Sequence, residues 1–184
     1  MKAMKMWLLA SGVGLAVIGG ACSTAPKTEA DKEALTANTA GALANFKAAD
    51  PTLQGLLDRS VGYAVFPSIG KAGFVVGGAF GRGEVFEGGK KIGYADVTKA
   101  NIGATIGAQT FSEILVFLTP ERLNAFKQGN FSLTADVSAV AIKSGAAAAS
   151  NVSKGVVVFV KSDGGFMAEA SVGGQGFSFV PTAK

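Results

Sequence analysis

Chemistry in a protein starts from its nucleophiles, its acids and bases and its metal ligands, and here that inventory is short. Histidine is absent and Cys22 is the single cysteine. Those two facts exclude a Ser-His-Asp triad, a Cys-His dyad, a His-rich metal site and an intrachain disulfide. Carboxylates remain, namely Glu84, Glu87, Asp96, Glu113, Asp136 and Glu169. A glycosidase needs two of them facing each other across a cleft, usually beside aromatic sugar platforms. Glu113 stands in the apolar run Phe111-Ser112-Glu113-Ile114-Leu115-Val116-Phe117. An acid there is a functional candidate, but the expected arrangement is one that points outward or meets a lysine on a neighbouring strand. The glycine run from Gly70 to Gly83 lacks the offsets of a phosphate loop, and the chain holds no G-x-G-x-x-G. Its glycines are expected to let bent strands approach closely while Phe74, Val76 and Phe80 face the core. No catalytic residue, cofactor or metal is expected.

The basic residues are the more promising group. Lys71, Arg82, Lys90, Lys91 and Lys99 cluster in sequence around the glycine-rich hairpins, with Glu84, Glu87 and Asp96 among them. They form either an ordinary solvated face or a patch for acidic headgroups, where each lysine contributes roughly 1 kcal/mol at an anionic leaflet.

The N-terminus reads as an export signal. Lys2 and Lys5 precede an apolar run from Trp7 to Ile18, and Gly19-Gly20-Ala21 leads into Cys22-Ser23. A basic start, a short apolar stretch and small residues at the cut define a signal peptide over 1–21. The run is too short and too interrupted to span a bilayer core of roughly 30 Å comfortably. Ile18-Gly19-Gly20-Ala21-Cys22 resembles a bacterial lipobox, with Gly19 where leucine is usual. The resemblance implies a diacylglycerol anchor on Cys22, and Ser23 after it resembles outer-membrane sorting, facing the periplasm. Residues 22–30 would then be the lipidated N-terminus and tether. Losing 1–21 removes Lys2 and Lys5 and no acid, so the formal charge falls from +4 to +2. That balance gives no reason to infer a nucleic-acid partner.

Elements able to position these residues follow from periodicity. The chain has 184 residues, of which 48% are hydrophobic and 26 are glycine, a composition of a folded domain with twice the usual glycine share of roughly 7%. From Asp31, the residues Leu35, Thr39, Ala42, Leu43 and Phe46 share one helical stripe. Asp50-Pro51 signals a second helix as cap and first helical residue. Strands are expected at Val61–Phe66, ending at Pro67, then at Ala72–Phe80 and Arg82–Glu87, and after the Gly88-Gly89 turn from Lys90. A long apolar stretch from Ala100 to Leu118 bends at Gly103 and Gly107. Thr119-Pro120-Glu121 starts a short helix that Gly129 ends. Phe131–Ile142 reads as a strand and Ser144–Ser153 as a loop. Val156–Lys161 and Phe166–Val172 read as a hairpin, and Phe177–Val180 closes the sheet. Residues 31–184 therefore read as one α+β domain, N-terminal helices packed on a curved, mainly antiparallel, glycine-rich β-sheet.

From about Gly55 to Phe177 the chain resembles the SYLF lipid-binding domain. The blocks are Lys71-Ala72-Gly73-Phe74 running into Gly77-Gly78-Ala79-Phe80-Gly81-Arg82-Gly83, then Ile106-Gly107-Ala108-Gln109 continuing through Glu113 to Leu118. Gly129-Asn130-Phe131-Ser132-Leu133 with Asp136-Val137-Ser138 follows, and then Gly164-Gly165-Phe166-Met167-Ala168 with Ser171-Val172. Eukaryotic members bind phosphoinositides and act at membranes, some with actin. The resemblance implies a non-enzymatic lipid-binding module; in an exported bacterial-type protein an anionic phospholipid is the more plausible ligand. It also implies membrane contact through an amphipathic N-terminal segment and basic residues, here the stripe of Leu35, Leu43 and Phe46 with Lys71, Arg82, Lys90 and Lys91. The alternative for the stripe is a helix packed on the sheet. The alternative function is a periplasmic protein-interaction scaffold without direct lipid recognition.

Overall fold

The computed structural model describes residues 25–73, 76–102, 109–129, 131–133, 139–141, 145, 155–162 and 174–182. The signal segment, Cys22, Phe74, the bends at Gly103 and Gly107, Asp136, Glu169 and the strand expected at Phe166–Val172 lie outside them.

Helix α1 (Glu29–Ala49) opens on a capping box, in which Thr28 and Asp31 each accept the other's backbone N–H. It ends at Asp50, and here the expected helix start is corrected. Asp50 is the C-cap of α1, fully buried. Its carboxylate accepts the Thr52 N–H at 2.9 Å, the Thr52 hydroxyl at 2.6 Å and the Gly145 N–H at 3.0 Å. The carboxylate thus holds a corner, and α2 begins later, at Leu53–Asp58. Helix α3 (Pro120–Lys127) stands where expected, and Gly129 follows it at φ +70°.

The α+β class is as expected. Strands β1 (Gly62–Gly73), β2 (Val76–Glu87), β3 (Lys90–Ile102), β4 (Gln109–Phe117), β5 (Ser132–Leu133), β6 (Ala139–Ala141), β7 (Val156–Ser162) and β8 (Gln175–Pro181) form one open sheet. Its order is β5-β8-β3-β2-β1-β4-β7-β6. The six longer strands pair antiparallel; short β6 lies parallel to β7. Within the strand expected over Phe131–Ile142, β5 and β6 are the described parts, and residues 134–138 and 142 lie outside the described residues.

Pro67 does not end β1. The register of β1 shifts against both neighbours at this point, between Val65 and Ser68 facing β2 and between Phe66 and Ile69 facing β4. A bulge is the one place a central strand tolerates a residue without an N–H. The bulge also explains why β2 continues through Gly81 instead of breaking there. A Cβ on Gly83 would stand 2.3 Å from the Val65 carbonyl oxygen, and one on Gly81 2.8 Å from that of Ser68. Neighbouring backbones bow inward opposite the bulge, and only glycine fits.

Strand alternation gives the sheet two dissimilar faces. On one, Ala42 and Phe46 of α1 and Leu53, Leu56 and Leu57 of α2 form a cluster with Val65, Ile114, Val116, Val157 and Phe159. On the other, Phe66, Phe117, Phe126, Phe131 and Phe177 gather with Val85, Val97 and Val158. Phe126 of α3 packs between Phe117 and Phe177 at centroid distances of 5.0 and 5.4 Å.

This second face is concave. Gln175 of β8 donates through Nε2 to Oε2 of Glu113 on β4 at 3.0 Å. Strands β3, β2 and β1 lie between them in the ladder, a flat separation of roughly 19 Å at about 4.8 Å per strand. Phe66 of β1 likewise meets Phe177 of β8 at 5.8 Å. The sheet must curl strongly for either contact to form.

Candidate functional site

The basic residues do not form one patch. Register pairs Lys71 with Ala79 and Ala79 with Lys99, at one end of the β1–β2–β3 meander. Lys90 pairs with Glu87, and Lys91 with Phe86, beside the opposite turn. Ala79 and Glu87 are separated by about 26 Å of strand, at roughly 3.3 Å per residue. The Debye length at physiological ionic strength is about 8 Å, so the two groups act independently.

At the turn end the Gly88-Gly89 hairpin closes with both glycines at positive φ, +55° and +77°, as a two-residue hairpin requires. Lys90 is exposed beside it. Lys91 is engaged within the protein. Its Nζ lies 2.9 Å from Oε1 of Glu84, donates to the Thr36 hydroxyl at 3.2 Å, and sits 5.3 Å from the centre of the Tyr94 ring. Thr36 itself donates to Glu84 at 2.7 Å, tying the first half of α1 to the sheet. Burial pulls the Lys91 pKa down, but the hydrogen bond and charge of Glu84 outweigh it and hold it above 10.5.

At the other end, the face that α1 and α2 cover elsewhere is exposed at Gly70, Phe80 and Thr98. Phe80 is 53% exposed, the one large hydrophobic side chain so exposed among the described residues. The expectation that it faces the core is overturned by parity. Ala79 and Val85 point into the concave core, so Phe80, Arg82 and Glu84 must share the opposite face. That parity was readable, since two charged residues share it. Phe80 pairs in register with exposed Gly70 and exposed Thr98, which leave its ring unscreened. Val76 is in β2, and its side chain lies outside the described residues.

Arg82 borders this face, and its Nε donates to Oδ1 of Asp96 at 3.1 Å. Asp96 is only 8% exposed, so Arg82 serves the fold as well as any ligand. Phe46 is removed from the candidate contact residues. It is fully buried between α1 and the sheet, where its ring completes the cluster that holds the helix. Leu43 packs partly buried against that cluster, and Leu35 is half-buried nearer the start of α1.

Glu113 is also corrected. It does not point outward but is fully buried on the concave face, where it accepts from Gln175. Asp96 lies on the opposite face with Arg82, so these two acids cannot flank one substrate. Among the described residues no group of three or more His, Cys, Asp or Glu side chains is placed to hold a metal ion. No helix among them is long and apolar enough to cross a membrane.

No curated protein matches the chain. Residues 98–182, a little under half of it, match the Ysc84 family model, described as Las17-binding protein actin regulator. The match runs from the middle of β3 through β8, and over that stretch it supports the resemblance to the SYLF family.

Proposed function

We propose that the protein is a non-enzymatic phospholipid-binding domain that meets an anionic bilayer with the Phe80 end of its sheet. The observation that carries the reading is a half-exposed aromatic ring in register with exposed Gly70 and Thr98, on the sheet face that also carries Arg82. Phe80 would enter the headgroup region beside Arg82, while Lys71 and Lys99, opposite Ala79 in register and so on the other face of the same sheet end, would meet headgroups at its rim. Burying the exposed half of a Phe side chain contributes about 1 kcal/mol, and each basic residue roughly another 1 kcal/mol at an anionic surface. Such contacts are weak singly. A diacylglycerol anchor on Cys22, after export and removal of 1–21, would keep the domain at the membrane, each buried methylene contributing about 0.8 kcal/mol. On this reading the protein is a lipoprotein of the outer membrane, facing the periplasm.

Sedimentation of residues 23–184 with phosphatidylglycerol vesicles, against phosphatidylcholine vesicles, tests the site. Phe80→Ser and the pair Lys71→Gln with Lys99→Gln should each weaken binding to anionic vesicles, and the lysine pair should also flatten its salt dependence. Unchanged binding by both variants refutes the site. Arg82→Gln is the poorer probe, since it also removes the Arg82 hydrogen bond to buried Asp96.

A protein-interaction scaffold is the second reading, favoured by the description of the matched family as a regulator that binds a protein. Retention of a protein partner in detergent by the Phe80→Ser variant, with no vesicle binding by the native domain, would select it.

A further inference from the structure

At the end of the sheet remote from Phe80, a cleft of about 330 Å³ opens between the last turn of α1, helix α2 and the β2–β3 turn. Its polar lining comes from Lys47, Gln54, Asp58 and Tyr63, with Gly88 and Gly89 at the rim. A Cβ on Gly62 would stand 2.5 Å from the Phe86 carbonyl oxygen, and both rim glycines have positive φ. The Tyr63 ring stacks on Phe86 at 4.9 Å with a 17° interplanar angle, which fixes where its hydroxyl points.

Three polar groups in this cleft have capacity to spare. Among the described residues no acid lies within ion-pair distance of the Lys47 ammonium, and the Tyr63 hydroxyl has no hydrogen-bond partner. Gln54 donates to Oδ1 of Asp58 at 2.6 Å, which orients that carboxylate and leaves its second oxygen for a ligand. Burial holds the Tyr63 pKa above its ordinary value, so the hydroxyl remains a donor at physiological pH. Lys47 and Asp58 line one cleft without pairing with each other. A simple anion there would meet the Asp58 charge, and a simple cation would meet Lys47. A small zwitterion satisfies both.

We propose that this cleft binds a phosphoethanolamine group, its phosphate on Lys47 and the Tyr63 hydroxyl and its ammonium on Asp58. This site is separate from the Phe80 face and does not depend on it.

The test titrates glycerophosphoethanolamine into the full-length protein in maltoside micelles and follows backbone amide shifts by NMR. Saturable shifts are expected at Tyr63, Gly88 and Gly89. Glycerophosphate and ethanolamine, each offering only one sign of charge, should bind at least about tenfold more weakly. Lys47→Gln and Asp58→Asn should each cost about tenfold as well. Tyr63→Phe, which keeps the stack on Phe86, should cost several-fold. The amide spectrum of each variant verifies that it is folded. Absence of saturable shifts at those amides overturns the proposal, as does glycerophosphate binding equally well, or undiminished binding by both charge variants. Vesicles of phosphatidylcholine with and without phosphatidylethanolamine separate the two sources of the group. Enhanced sedimentation with phosphatidylethanolamine assigns it to lipid, whereas response to the soluble ester alone assigns it to a free headgroup. Phosphatidylglycerol vesicles lacking ethanolamine report on the Phe80 face independently.

Discussion

Replacing Lys91 by methionine should cost more stability than neutralising its partner Glu84, although the two share one ion pair. The asymmetry comes from burial, since the Glu84 side chain is 1% exposed and that of Lys91 is 30% exposed. Removing one member of a buried pair costs about 3–5 kcal/mol when the other charge is stranded. Here the Thr36 hydroxyl still donates to the carboxylate at 2.7 Å, and water reaches the space Lys91 vacates. The expected cost of Lys91→Met is therefore about 2 kcal/mol. Glu84→Gln leaves a partly exposed ammonium that water solvates, and should cost about 1 kcal/mol. The double variant should cost little more than Glu84→Gln alone, giving a coupling of about 1 kcal/mol or more. Urea denaturation followed by circular dichroism provides all the values. A pH series adds a second check. The folded-state pKa of Lys91 is raised, so its contribution is complete below the unfolded value of 10.5 and is lost as pH rises through the folded one. The native protein should thus lose stability above about pH 10.5 more steeply than Lys91→Met. Equal costs below about 0.5 kcal/mol for both single variants would refute the reasoning, because that is how an exposed pair behaves.

Phe46→Ala should cost about 3–5 kcal/mol in the same assay, because the ring is fully buried beneath α1. Gly83→Ala should cost about 1–3 kcal/mol or more, since its Cβ meets rigid backbone at 2.3 Å. Gly70→Ala, whose Cβ comes no nearer than 4.0 Å to another heavy atom, should stay within about 0.5 kcal/mol. Phe80→Ser should leave the melting temperature nearly unchanged while reducing sedimentation with anionic vesicles, a separation that a core residue would not give.

Signals carried by single turns were legible in the chain itself. Gly88-Gly89 and the Thr119-Pro120 start of α3 act through local backbone preferences, and both stand where the residues place them. Pro67 misled because its usual role as a strand terminator gives way when two neighbouring strands share its bulge. Asp50 misled because a carboxylate that caps can equally close a corner, and Gly145, distant in sequence, decides between them. The basic residues looked contiguous because they are close in sequence, whereas extended strands carry them apart at roughly 3.3 Å per residue. Glu113, expected to point outward, is buried for the reverse reason. Its partner Gln175 comes from the far side of the curl, and no local pattern reports a contact made by curvature.

The position of β8 has a consequence for the birth of the molecule. Lys99 of β3 pairs with Gln175 of β8, about 75 residues later in the chain. The β1–β2–β3 meander can assemble from local contacts, but the outer edge of β3 must wait for the C-terminal segment before its backbone groups are satisfied. Closing so long a loop is slow relative to hairpin formation. During synthesis there is an interval in which β3 offers an unpaired edge to any other extended chain. A chain cut short before Gln175 would keep that edge permanently, and would leave Glu113 in the core without its partner across the curl. Truncation at the C-terminus should therefore yield an aggregating species, not a smaller soluble domain, and a short peptide spanning β8 should suppress that aggregation by occupying the edge of β3.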